Sequence, residues 1–340
     1  MNWTDLLKQL LDRQSLTPEQ ARSLMTGWLE GAILPEVSGA ILVALQMKGI
    51  TGAELAAMAT VLREMATPVP KLNQEVLLDT CGTGGDGKHT FNISTAVAFV
   101  VAAAGIPVAK HGNRSVSSRS GSADVLEALG INLNAPLAQM QAALETVGVT
   151  FLFAPHWHPA MKAVAPLRKN LGIRTVFNLL GPLVNPYRPT AQVMGVYAAP
   201  LLHPVAEALG ILGLQQAYVL HSREGLDEVG LGDITDLVHL HQGKTTNLEL
   251  DPRTVDIPPT PLTALLGGDV AVNSVILTQV LQGKGTAAQT QCVALNSALA
   301  LTLAGQYPTW QAAYPRALEI IRSGAPWDKL MDLRQFLAHP

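Results

Sequence analysis

The chain has 340 residues, 48% of them apolar and only 14% charged, with a formal net charge of −3. That balance excludes a disordered chain too poor in apolar surface to fold, and it leaves no basic footprint for nucleic acid. Two cysteines, Cys81 and Cys292, are too few for a disulfide framework, and the longest apolar stretch, 95–109, is too short to cross a bilayer and is broken by Gly105 and Pro107.

The first residues, Met1-Asn2-Trp3-Thr4-Asp5, supply no basic segment leading into an apolar core, so a cytoplasmic protein with no membrane partner is expected. From residue 2 to about 66 every signal is helical. Leu6, Leu7, Leu10 and Leu11 recur at helical spacing. Thr17-Pro18-Glu19-Gln20 is a helix start with proline at the first position. A third helix opens near Pro35 and carries Ile41, Leu42 and Leu45, and Thr51-Gly52-Ala53-Glu54 opens a fourth. Residues 1–68 therefore read as a small all-helical domain, with Pro68-Val69-Pro70 as the hinge that follows.

Beyond the hinge the pattern changes. Val76-Leu77-Leu78-Asp79 reads as the end of a buried strand, and Ser94 to Ala104 as a helix with Asn92, Ser94 or Thr95 as its N-cap. Between them lie Gly82, Gly84, Gly85 and Gly87, whose backbone can turn tightly and approach a ligand closely. A strand, a glycine loop and a helix start point backbone N–H groups and the positive end of a helix dipole at one place, where a phosphate is the expected occupant. The loop lacks the Gly-Lys-Ser/Thr ending of a P-loop and does not fit the dinucleotide fingerprint. Cys81, inside it, reads as a small filler residue rather than a reactive thiol.

A second unit repeats the arrangement. Ile106 to Ala109 reads as the next strand, and Lys110 to Asp124 as a loop rich in Ser and Asn, with Lys110, Arg114 and Arg119 as cations for phosphate oxygens. Ser120 or Ser122 would cap the helix that carries Asp124, Leu126, Glu127 and Leu129. Two such units in succession imply one ligand with more than one phosphate, held beyond the carboxyl ends of the strands. Further short β-rich runs, 150–154, 192–197 and 217–221, alternate with helices. The fold class read from this is α/β: a small N-terminal helical domain plus a large α/β domain with a mostly parallel central sheet. Residues 251–261, rich in Pro and Thr, read as an exposed connection.

At this point the sequence resembles the anthranilate phosphoribosyltransferase family. The resemblance is carried by Asp79 to Asp86 (DTCGTGGD), Asn92-Ile93-Ser94-Thr95, Lys110 to Asp124 (KHGNRSVSSRSGSAD) and Phe151 to Lys162 (FLFAPHWHPAMK). It continues through Leu167-Arg168, Gly172-Ile173-Arg174-Thr175-Val176-Phe177-Asn178-Leu179-Leu180-Gly181-Pro182-Leu183 and Gly225-Leu226-Asp227-Glu228, in family order over most of the chain. Pyrimidine nucleoside phosphorylases share the architecture, but Lys110 to Asn113 and Asp227-Glu228 favour the transferase.

The resemblance implies a Mg²⁺-dependent transfer of phosphoribose from phosphoribosyl pyrophosphate to the amine of anthranilate, a step of tryptophan biosynthesis. It implies a segment around 173–190 returning to the helical domain, so that 71–172 and 191–340 form the α/β domain and the site lies in the cleft between the two. Carried over by motif position, the donor would meet Gly82, Thr83, Gly84, Gly85, Asp86, Thr90, Asn92, Ile93, Ser94 and Thr95, together with Lys110, His111, Gly112, Asn113, Ser118 and Ser122. Lys110 and Ser94 would stabilise the leaving group. The acceptor would meet Gly82, His111, Asn113, His158, Met161, Arg168, Asn178 and Pro182, with Arg168 forked onto the anthranilate carboxylate. Asp227, Glu228 and the Ser94 hydroxyl would hold Mg²⁺, a hard ion that takes one or two carboxylates plus phosphate oxygens. His156 and His158, two apart, do not suit a shared zinc. Ser222-Arg223-Glu224 departs from the family pattern, and the helical domain is the expected homodimer surface.

Overall fold

The computed structural model describes residues 1–70, 75–114 and 120–338. Four helices come first: α1 (Trp3–Leu11), α2 (Pro18–Leu29), α3 (Pro35–Lys48) and α4 (Gly52–Glu64). Both α2 and α4 open on capping boxes, Thr17 with Gln20 and Thr51 with Glu54. Glu54 does more than cap. Its buried carboxylate also accepts the Leu16 N–H at 2.7 Å and pairs with Lys48 at 2.9 Å, which ties α3, α4 and the connection before α2 together.

The α/β part runs β1 (Leu78–Asp79), α5 (Ile93–Ala103), β2 (Val108–Gly112), α6 (Ser122–Ala128), α7 (Leu137–Thr146) and β3 (Val149–Phe153). Three short helices follow, α8 (Ala154–Trp157), α9 (Ala165–Leu171) and α10 (Phe177–Leu180), the last running into a tight turn at Gly181–Leu183. Then come β4 (Ala191–Gly195), α11 (Leu202–Ile211), β5 (Gln216–Ser222), β6 (Thr235–His241) and β7 (Lys244–Leu250). Four helices, α12 (Val270–Leu281), α13 (Ala287–Leu303), α14 (Trp310–Ser323) and α15 (Ala325–Ala338), complete the described chain.

The strands form one seven-stranded sheet in the order β3-β2-β1-β4-β5-β6-β7. The first five are parallel, and β6 and β7 add an antiparallel edge. This is the α/β class with an N-terminal helical bundle and a mostly parallel sheet. One apolar core joins α5 and α12–α15 to one side of the sheet. A second joins α1–α4 to Val176, Phe177, Leu180, Leu183, Met194 and α11, so α11 lies on the other side of the sheet and the bundle packs onto α11.

Four local expectations are corrected. Lys110 and His111 belong to β2 rather than to the loop after it, because their backbones pair in register with Phe151 and Leu152 of β3. Helix α6 is capped by Gly121, not by Ser120 or Ser122; Asp124 closes the turn by accepting the Gly121 N–H at 2.9 Å. Asn92 stands at the N-cap of α5 without a side-chain cap bond. The 251–261 stretch is not merely an exposed connection, since it forms a helical turn at Pro252–Val255 and buries Pro252 and Ile257.

Candidate active site

The carboxyl ends of β1, β2 and β4 lie side by side, the place where open parallel sheets receive ligands. The glycine loop after β1 is pinned there from two directions. Thr83 donates its N–H to Gly195 O at 2.9 Å and accepts the Tyr197 N–H on Oγ1 at 3.1 Å. Gly84 donates its N–H to Asp227 Oδ2 at 2.6 Å. Gly84 and Gly85 hold φ of +63° and +75°, a region that penalises any Cβ. At the end of β4, a Cβ on Gly195 would overlap Asp227 O, so only glycine lets the acidic loop come this close.

Lys110 is buried and donates to Thr80 O at 2.7 Å and to Ser94 Oγ at 3.1 Å. Ser94 donates its N–H to Glu228 Oε1 at 3.1 Å, which puts a carboxylate on the positive end of α5. Asp227 and Glu228 are partly exposed but crowded by protein atoms, and both carboxyls are pushed well above the usual range, first by desolvation. Repulsion adds to this, from Asp86 on Asp227 and from Asp227 on Glu228. Asp86 takes the Lys88 N–H at 2.9 Å on Oδ1, while its buried Oδ2 has no hydrogen-bond partner. Crowded, under-compensated carboxylates beside a serine hydroxyl fit a hard divalent cation such as Mg²⁺. Among the described residues no three His, Cys, Asp or Glu side chains converge as a complete cage.

Two buried polar residues that brace this arrangement carried no role in the sequence reading. Asp79, fully buried, accepts the His111 N–H at 3.2 Å and Asn185 Nδ2 at 2.8 Å. Burial lifts its carboxyl to about 6 against the pull of Lys110. Asn185 also donates to Ala109 O at 2.8 Å, so β1, β2 and the segment after α10 are locked together. Asn296, inside α13, accepts the Val229 N–H at 3.0 Å and donates to Val229 O at 3.1 Å, fixing the residue next to Glu228. Each had a signal: a carboxylate ending a buried strand, and an amide in the middle of an Ala/Leu helix. The departure at Ser222 to Glu224 forms a closed turn that supports the same loop. Gly225 donates its N–H to Ser222 O at 2.7 Å, and Glu224 accepts the Gly232 N–H at 2.8 Å. Burial pushes the Cys81 thiol up to about 12, consistent with a filler role.

On the other side of Lys110 the chemistry is different. The rings of His111 and His158 meet edge to face with centroids 5.3 Å apart. Burial drives the His111 ring down to about 3, helped by His158, and burial drives His158 down to about 4. Both are neutral at physiological pH. His111 Nε2 and both His158 nitrogens have no hydrogen-bond partner, the nearby backbone at Gly181, Val184 and Leu62 falling short of bonding geometry. Met161 donates its N–H to His158 O at 3.1 Å. Arg168, half-buried on α9, lies 5.9 Å from the Phe177 ring centroid and has no acidic partner among the described residues. Pro182 O accepts Gln192 Nε2 at 2.9 Å, and Asn178 Oδ1 accepts the Thr175 N–H at 3.0 Å, so both hold the shape of their own turn.

The remaining residues named from the motifs divide. Asn113 O accepts the N–H of Ala123 and the hydroxyl of Ser122, which joins the end of β2 to the start of α6 beside Gly112. Thr90 bridges to Leu266. Asn92 Oδ1 and Thr95 Oγ1 are buried without partners at the head of α5. Ile93 is core, and its N–H bonds Phe91 O, so it offers the loop neither group. Arg114 is consumed by Asp124 and Glu127 at 3.0 and 2.7 Å. Ser118 and Arg119 lie outside the described residues.

A concavity of about 1030 Å³ lies elsewhere: an apolar groove between α1, α3 and α9 lined by Leu7, Leu11, Val43, Met47, Pro166 and Leu171. No helix among the described residues is long and apolar enough to cross a membrane.

Comparison with known proteins places these features. Residues 4–66 match the model of the glycosyl transferase family, helical bundle domain, and residues 74–326 that of the glycosyl transferase family, a/b domain. The anthranilate phosphoribosyltransferase of Synechococcus sp. (strain JA-3-3Ab) is 59% identical over 336 residues, 99% of this chain and 98% of the relative. The anthranilate phosphoribosyltransferase of Thermus thermophilus superimposes with a TM-score of 0.91 at 41% identity, over 98% of this chain and 99% of that one. The Saccharomyces cerevisiae enzyme in complex with PRPP and Mg superimposes with a TM-score of 0.88 at 25% identity, over 99% and 98%; the same enzyme in complex with 4-fluoroanthranilate gives 0.83.

Proposed function

The chain belongs to the anthranilate phosphoribosyltransferase family, and we propose how its own residues divide that reaction between them. The protein transfers the phosphoribosyl group of 5-phosphoribosyl 1-pyrophosphate to the amine of anthranilate. The products are N-(5-phosphoribosyl)anthranilate and pyrophosphate, in the second step of tryptophan biosynthesis from chorismate.

Breaking the C1–O bond builds negative charge on the departing pyrophosphate and positive charge on the sugar. An arylamine is neutral at pH 7 and needs no strong base to attack. The task is therefore to hold two reactants in line and neutralise the leaving group, without a covalent intermediate. In our reading Gly82 to Asp86 line the diphosphate and ribose. Thr90, Asn92, Ser94, Thr95, Gly112, Asn113 and Ser122 complete that pocket, with Ile93 contributing only its place in the turn. Lys110, held by Thr80 O and Ser94 Oγ, faces the leaving oxygens as a buried point charge. Asp227, Glu228 and the Ser94 hydroxyl would hold Mg²⁺. When bound, that ion supplies positive charge to the diphosphate oxygens. His111 and His158, both neutral, flank the anthranilate ring without competing for its carboxylate. Arg168, lacking an acidic partner among the described residues, receives that carboxylate. Met161, Asn178, Pro182 and the Gly82 and Asn113 backbones shape the wall.

The observation that carries this reading is the partly buried Lys110–Ser94–Glu228 chain at the carboxyl ends of parallel strands, next to two neutral histidines. Loss of anthranilate fluorescence on mixing tests it. Loss requiring enzyme, anthranilate, donor and Mg²⁺ together supports the assignment; a folded protein that binds the donor but consumes no anthranilate would refute the acceptor half.

Residues 1–68 with 173–190, against 71–172 with 191–340, are the two units we take to face each other across the site. A homodimer is proposed through the apolar groove of the helical part, where Leu11 and Met47 are 65% and 75% exposed. Its formation is checked by light scattering at micromolar concentration. A cytoplasmic location is proposed from the biosynthetic role.

A further inference from the structure

The cations around the glycine loop do not all serve the loop. Lys110 has two of its three ammonium N–H groups on Thr80 O and Ser94 Oγ, leaving one for a ligand, and Arg114 is spent on two carboxylates. Lys88 turns toward the acidic loop, its Cε and Nζ 2.9 and 3.1 Å from where a Gly225 Cβ would stand. Arg174 is different. It lies on the exposed stretch between α9 and α10, its Cζ 4.5 Å from the Tyr197 ring centroid. Its Nε is 3.4 Å from the position a Cβ on Gly85 would take. No carboxylate pairs with it among the described residues.

Stacking on Tyr197 holds the guanidinium plane and leaves its N–H edge free for oxygens. Tyr197 is itself fastened to the loop, because its N–H donates to Thr83 Oγ1 at 3.1 Å. The glycine loop is thus bracketed, with Asp227 on Gly84 at one side and Arg174 against Gly85 at the other. We propose that Arg174 is a donor-binding residue that forks onto diphosphate oxygens lying along Gly84 and Gly85. This rests on the reading of the glycine loop as the diphosphate site. It also gives the segment spanning the two units a direct hold on the leaving group.

The test is steady-state kinetics of Arg174→Gln and Arg174→Lys at saturating Mg²⁺, with each substrate varied and inorganic pyrophosphate as product inhibitor. Removing a charge-assisted fork should raise the donor KM and the pyrophosphate inhibition constant about tenfold or more, with anthranilate KM within about twofold. Lysine should restore part of the loss. A rise in anthranilate KM with the donor unaffected would move Arg174 to the acceptor side and overturn the proposal, as would no change in either. Lys110→Gln run beside it separates the two levels. If Lys110→Gln weakens donor and pyrophosphate but Arg174→Gln does not, only Arg174 is misassigned; if neither does, the reading of the loop itself fails.

Discussion

The two halves of the proposed site stand on opposite electrostatic terms. The donor half concentrates formal charge: Asp86, Asp227 and Glu228 crowd one another, and Lys110 lies one hydrogen bond from Ser94. The acceptor half removes charge, with His111 and His158 held neutral by burial and three of their four ring nitrogens, His111 Nε2 and both of His158, left without partners. Arg168 carries the charge assigned to that half, and it rests on Phe177 rather than on an acid. The difference matches the chemistry. A leaving diphosphate needs counter-charge that strengthens as the bond breaks, whereas a neutral arylamine needs a dry, shaped wall that does not protonate it.

The contrast can be broken most severely on the donor side. Asp227→Asn with Glu228→Gln should reduce turnover by about 10³-fold or more while circular dichroism stays native. Mg²⁺-dependent activity surviving in that variant would remove the metal assignment. Next comes Gly195→Ala, whose new methyl would occupy the place of Asp227 O. The acidic loop must shift by about an ångström, which typically costs on the order of 10²-fold in kcat; a Mg²⁺ titration should need more metal, and an unchanged curve would mean the loop's position does not matter.

On the acceptor side effects should be smaller and confined to one substrate. Arg168→Ala should raise anthranilate KM by roughly 10- to 100-fold and leave the donor KM alone; equal effects on both would take Arg168 out of the acceptor site. The last effect is on stability rather than on turnover. His158 titrates at about 4 when folded and near 6.5 when free, so unfolding takes up a proton between those values. Its contribution to stability is complete above pH 6.5 and is lost as pH falls toward 4. The urea-unfolding free energy of wild type, minus that of His158→Gln, should therefore fall by roughly 3 kcal/mol over that range. A difference independent of pH would mean that the ring is already charged or solvated in the folded protein.

Much of this was legible in the sequence because it is local. Capping residues, the glycine run and the alternation of β-rich and helical segments announce themselves within ten residues, and Lys110, Ser94, Asp227 and Glu228 stand in recognisable blocks. What escaped is what only tertiary contact reveals. The β6–β7 hairpin passed unnoticed because β7 is exposed except for Leu250, so it lacks apolar alternation; its Gln242-Gly243 turn, both at positive φ, was the available signal. Asp79 and Asn296 could be seen only as polar residues in apolar surroundings, since their partners lie 32 and 67 residues away. Lys110 and His111 passed for loop residues because polar side chains in a central strand make sense only once a site is known to lie beyond it.

The shared core of the bundle sets an order on synthesis. Leu24, Met58 and Leu62 of the first four helices are covered by Phe177, Leu180 and Leu183, and by Val205 and Leu209 of α11. On the ribosome, residues 1–64 emerge long before that cover exists. At about 5–20 residues per second, some 150 further residues take roughly 8–30 s to arrive. During that interval the nascent bundle presents apolar faces that chaperones can hold. Trp28, whose ring meets Phe177 at a centroid distance of 5.2 Å, marks the arrival of the first part of that cover: its emission should shift only in nascent chains that extend past α10.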